Sequence, residues 1–189
     1  MHQERKSGKS AFIIRERLLQ RIGADDIHEI TYLTQGNNKR KSELYNLIFD
    51  ADETVAWQTA WVLGHFSLKE NEWLYDKQNE LIDELLLCRQ TGKKRLLLNL
   101  LFRQPLSHPP RTDFFDYCLS GMASTEEPPG VRALCMKLAY EMSRHIPELQ
   151  REVCSLLEIM EHDSLIPSIC ATRKNILRAM RKGKSLQIY

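Results

Sequence analysis

The residues of this 189-residue chain that could do chemistry are its six histidines, adjacent acidic pairs, one SGKS run and one tryptophan-rich stretch. The histidines are His2, His28, His65, His108, His145 and His162. None forms the HExxH spacing that places two zinc ligands on one helix face, and no serine sits in a GxSxG elbow. His65 and His145 fall near the C-terminal ends of helical stretches, where a positive ring suits the helix dipole. Asp25-Asp26, Asp83-Glu84 and Glu126-Glu127 are neighbours in sequence. Adjacent helix residues point in different directions, so these pairs are not acid/base dyads. Asp25-Asp26 and Glu126-Glu127 suit helix starts instead.

SGKS at Ser7–Ser10 has the last letters of a phosphate-binding loop, but Gln3 stands where the first glycine would be needed. It reads as a basic tail over 1–9, with Ser10 capping the first helix. The five cysteines, Cys88, Cys118, Cys135, Cys154 and Cys170, are widely spaced in apolar helical segments. With no CxxC pair and no histidine at ligand spacing, they read as reduced, mostly buried small hydrophobes. The expectation is therefore no catalytic residue, no metal, no cofactor and no disulfide. VAWQTAWVLGHF at Val55–Phe66 poses the remaining question, between an aromatic ligand site and a helix buried on most sides.

The elements that must position these residues are helices. Charged residues make up 28% and hydrophobic residues 42% of the chain, the balance of an ordinary globular domain, and Gly and Pro are sparse. Apolar residues recur at helical spacing and no period-2 strand stands out. Ten helices are predicted, near 10–22, 25–35, 38–49, 53–67, 71–88, 92–103, 112–122, 129–144, 147–161 and 167–182. Pro129, Pro147 and Pro167 stand where a first-turn proline is tolerated. The pairs Val62-Leu63, Leu100-Leu101, Leu138-Ala139 and Ile176-Leu177 follow one another at a step of 38 residues. Leu81, Leu119 and Leu157 keep the same step. Such a period, with two helices per unit, is that of stacked helical hairpins. VAWQTAWVLGHF is then the first helix of an internal repeat. Trp57, Ala60, Trp61 and Gly64 share one face, expected to pack in the core.

LYNLIFDADETVAWQTAWVLGHF, PGVRALCMKLAYEMSRHIPELQREVCSLLEIM and SICATRKNILRAM resemble the HEAT-like α-α superhelical proteins, in particular a group of small Bacteroidetes-type members. The resemblance implies an all-α, right-handed α-α superhelix of helical hairpins and transfers no catalytic residue. The expected organisation is a single domain: N-terminal helices over 10–49, hairpin repeats over 50–166 and a capping helix over 167–182.

HEAT-like proteins generally act as scaffolds, so the resemblance implies a non-enzymatic module binding a protein or peptide. Some are DNA-base glycosylases, which makes nucleic acid the alternative partner. Charge supports the alternative only locally, because the net charge is +2. First helices are basic or neutral and second helices acidic, so two helix layers should differ in sign. The phosphate-contacting candidates are Lys93, Lys94, Arg132, Arg173, Lys174, Arg178 and Arg181. Arg181 and Lys182 also complement the dipole of the last helix. Apolar runs are too short for a membrane span, and no secretory signal is visible, so the expected compartment is the cytoplasm.

Overall fold

The computed structural model describes residues 14–160 and 166–187. The expected tail over 1–9, the Ser10 cap and His162 lie outside the described residues. Among the described residues every regular element is helical. They are α1 (14–18), α2 (Ala24–Thr34), α3 (Asn38–Asn46) with a 3-10 turn Leu47–Phe49, α4 (Glu53–Leu63), α5 (Leu68–Asn71) with a 3-10 segment Glu72–Lys77, α6 (Gln78–Leu87), α7 (Thr91–Phe102), α8 (Thr112–Ala123), α9 (Pro129–Ser143), α10 (Pro147–Ile159) and α11 (Pro167–Lys182).

The repeat is visible in the helix starts. α4, α7, α9 and α11 begin at Glu53, Thr91, Pro129 and Pro167, again a step of 38 residues. Val62, Leu100, Leu138 and Ile176, the residues that revealed the period, are all buried. The predicted helix over 71–88 is broken into α5, a 3-10 segment and α6. The tighter winding sets Trp73 edge-on to Tyr45 at 5.8 Å and brings Lys77 over the Tyr45 ring. Leu74, between them in sequence, goes into the core.

The chain forms two compact units, one ending at Asn79 and the other starting at Glu80. In the first, α4 packs against α2, α3 and the Leu47–Phe49 turn. At about 100° per residue, Val55, Ala56, Gln58, Thr59, Ala60, Val62 and Leu63 fill one continuous arc of about 200°, and all are buried. This corrects the face read from the sequence. Trp57, Trp61 and Gly64 lie on the other arc and are half-buried, between exposed Thr54 and His65. Polar Gln58 and Thr59 go inside because their bonds are satisfied there. The Gln58 carboxamide donates to the Leu18 and Gln20 carbonyls at 2.6 and 2.7 Å and accepts from the Ile22 amide at 2.8 Å. The Thr59 hydroxyl donates to the Val55 carbonyl. A buried polar group so paired avoids the desolvation cost that would otherwise expel it.

In the second unit α9 is central, packing on α7, α8, α10 and α11. Nine of its residues are buried, Val131, Cys135, Met136 and Leu138–Ser143 among them. α8 passes close to it at Gly121, where a β-carbon would meet Cys135 Sγ at 2.8 Å. Both Gly121 and Cys135 are buried, so neither has open space to yield into. We expect Gly121→Ala to destabilise the protein by about 1–2 kcal/mol, overpacking outweighing the gain in helix propensity. Adding Cys135→Ala should recover most of that loss. Urea denaturation of the two single variants and the double measures the coupling, and strictly additive effects would deny the contact.

Candidate functional site

The basic residues proposed for phosphate contact occupy different environments. Lys93 is buried in the first turn of α7 and pairs with Glu84 of α6 at 2.6 Å. Lys94, half-buried beside it, pairs with Glu127 in the loop before α9. Arg132 donates to the Met122 carbonyl at the end of α8, at 3.4 Å. Arg173 donates to the Leu157 carbonyl at the end of α10. Arg181 is exposed and bonds the Leu177 carbonyl of its own helix. Lys174 and Arg178 are exposed on α11, and so is Lys182 in its last turn. Lys93 and Lys94 stand together on α7, and Arg173, Lys174, Arg178 and Arg181 stand along α11.

The alternation of basic and acidic helices instead supplies ion pairs between elements. Besides Lys93–Glu84 and Lys94–Glu127, Lys41 of α3 pairs with Glu70 of α5 at 2.9 Å. Arg111, just before α8, bridges Asp83 of α6 and Asp113 at 2.8 and 2.6 Å. Arg15 of α1 grips Asp50 through two nitrogens. Hydrogen bonds from Arg15, Lys41 and Arg111 hold the Asp50, Glu70 and Asp113 carboxyls below their ordinary range. Depressed carboxyls stabilise the fold above the unfolded carboxylate range, and that stabilisation is lost as pH falls through their folded values.

Two other features of the surface are open. On α4, Trp57 and Trp61 stack at 5.6 Å with their planes 27° apart. His65, just past the helix, meets Trp61 edge-on at 6.1 Å and donates its Nδ1 proton to the Trp61 carbonyl at 2.9 Å. His28 of α2 meets His65 edge-on at 6.4 Å. Tyr32, one turn further along α2, is 82% exposed. The result is an aromatic strip over two helices, its rings partly in solvent. Sequence reasoning placed these tryptophans in the core. The available signal was the polar Thr54 and His65 at helical spacing on either side of them. Elsewhere, between α10 and α11, adjoining concavities of about 300 and 280 Å3 are lined by Cys154, Met180 and Arg181, with Glu158 and Leu177 in one and Gln150 and Arg151 in the other. Leu177 and Met180 are half-buried in this groove, whereas Ile169, Ile176 and Ala179 are buried.

The five cysteines are free thiols. Burial pushes the Cys118 thiol well up, which disfavours the nucleophilic thiolate. Among the described residues no group of three or more His, Cys, Asp or Glu could hold a metal ion, and no helix is long and apolar enough to cross a membrane.

The charge environments make separable predictions. Glu84→Ala leaves the buried Lys93 ammonium without that carboxylate and should cost roughly 2–4 kcal/mol. Lys174→Glu with Arg178→Glu, on exposed positions, should stay within about 0.5 kcal/mol per site. Urea denaturation at neutral pH compares them, and equal effects would mean that the Lys93–Glu84 pair carries no weight.

A family model for the HEAT repeat domain matches residues 14–180. Neither any curated protein nor any solved structure matches the chain. With the constant step of its first helices and a match over most of its length, the chain belongs to the HEAT-repeat family and is an all-α helical-repeat protein.

Proposed function

We propose that this scaffold is non-enzymatic and binds a protein or peptide partner through the aromatic strip of α2 and α4. The observation that carries the reading is the half-buried Trp57–Trp61 stack, continued by His65, His28 and exposed Tyr32. Tryptophan and tyrosine contribute most where a partner desolvates them, because they bring large area at little side-chain entropy. The indoles are held in place before any partner arrives, Trp57 against Trp61 and Trp61 against His65. Preorganisation of this kind lowers the ordering cost of association.

Nucleic acid is the competing partner, read through α11. Its support is the exposed Lys174 and Arg178 with Arg181 in the last turns. The ion pairs of Lys93 and Lys94 and the carbonyl bonds of Arg132 and Arg173 weigh against the larger set.

The test is affinity capture on the wild-type chain, identification of the retained protein, and calorimetry with that protein purified. Trp61→Ala combined with Tyr32→Ala should weaken binding about 30-fold or more. Its folding cost should be about 1–2 kcal/mol, below the 3–5 of a fully buried aromatic residue. The Lys174→Glu, Arg178→Glu chain should bind like wild type. Unchanged binding by the aromatic variant would contradict the proposal. Duplex DNA binding that falls steeply with salt and is lost in the charge-swapped chain would transfer the function to nucleic acid.

A further inference from the structure

After α11 the chain reverses at Gly183, whose φ of 60° lies in the left-handed region. Residues 184–187 then run without helical structure over α9 and the end of α7, bonded at nearly every position. The Gly183 carbonyl accepts from Arg144, and the Lys184 carbonyl accepts from Tyr140 Oη at 2.6 Å. Ser185 donates its hydroxyl proton to Glu141 Oε2 at 3.0 Å, and the Leu186 amide donates to Glu141 Oε1. The Gln187 carboxamide donates to the Phe102 and Gln104 carbonyls at 2.8 and 2.9 Å.

The receiving groups have the character of a built site. The Glu141 side chain is 3% exposed, yet a segment at the end of the chain supplies two of its hydrogen bonds, beside the ion pair with Arg144 at 3.3 Å. Gln104 and Tyr140 are equally buried. An ordinary helix end needs no carboxylate of this kind, because its orphan groups there are carbonyls, which require donors. Glu141 is an acceptor, and it takes a main-chain amide and a side-chain hydroxyl from a non-helical segment, in which the Gln187 amide also donates to Ser185 Oγ at 3.0 Å. Main-chain bonds of this type give affinity for any extended peptide, and the side-chain bonds give selectivity. Here the selected pattern is a hydroxyl residue followed, two positions on, by a carboxamide.

We infer that the face formed by the C-terminal ends of α7 and α9 is a peptide-recognition site for a non-helical Ser-x-Gln segment, occupied in cis by Ser185–Gln187. Release of this strap about Gly183 opens the site to the same pattern in a partner. The inference is independent of the aromatic strip, which uses other residues.

A short tether gives the cis strap an effective concentration near millimolar, so it should outcompete a peptide in solution. The probe is a fluorescein-labelled peptide KGKSLQ, matching residues 182–187, titrated by anisotropy against the full chain. Ser185→Asp with Gln187→Ala sets a carboxylate against Glu141, removes the carboxamide and releases the strap. Gln187→Ala alone is the milder version should the double variant fold poorly, with circular dichroism checking both. The released chain should bind KGKSLQ more tightly than wild type by about tenfold or more. KGKALA, which leaves the folded chain untouched, should not bind. Equal binding to released and wild-type chains would overturn the inference. So would equal binding of the two peptides, or a folded released chain that takes up neither.

Discussion

An α-helix leaves its last carbonyls without intrahelical partners, and the way this chain supplies donors to them organises much of its packing. A left-handed glycine after the helix is the common local solution. Among the described residues only Gly36 and Gly183 adopt it. At the end of α2, and at helix ends without such a glycine, the donor is a long polar side chain from a different element. Gln58 of α4 serves the carbonyls after α1, Arg40 of α3 serves Leu33 of α2, and Arg132 of α9 serves Met122 of α8. Arg173 of α11 serves Leu157 of α10, and Gln187 serves Phe102 and Gln104 at the end of α7. Each bond ties a helix end to an element that follows it in the chain. Inside a repeat fold this adds direction to packing that apolar contact alone leaves adjustable.

Such bonds also determine which residues remain for a partner. Arg132 and Arg173 each direct the Nε donor to a carbonyl, and Lys93 and Lys94 pair with Glu84 and Glu127. The sign difference between first and second helices is thereby used to join elements. The aromatic strip is left open by the same logic. Because Gln58 must reach the end of α1, α4 turns its Gln58–Thr59 side inward, and Trp57 and Trp61 are carried to the solvent side.

The helical-repeat class was legible because burial recurs at a fixed step. Val62, Leu100, Leu138 and Ile176 are both the pattern and the core. Proline at the first helical position marked α9, α10 and α11 to the residue. The inward face of α4 was not legible. Periodicity weighs residues by hydrophobicity, and it counts two tryptophans as core while discarding a buried glutamine with three hydrogen-bond partners. The break of 71–88 into three pieces escaped for a related reason, since the ring contacts of Trp73 and Tyr45 span different helices. Nor could the strap be read: Ser185, Leu186 and Gln187 have no pattern of their own, and Glu141 looks like one more acid on a helix.

The claim that following elements cap helix ends is tested most directly by hydrogen exchange in Arg173→Met. Methionine keeps an aliphatic stem on α11 and removes the donor to Leu157. The amides of residues 157–160, which hold the last turn of α10, should then exchange faster by about tenfold, as expected for a lost bond of about 1.4 kcal/mol. Protection in α2 and α4 should be unchanged. Unaltered exchange at 157–160 in the variant would contradict the account.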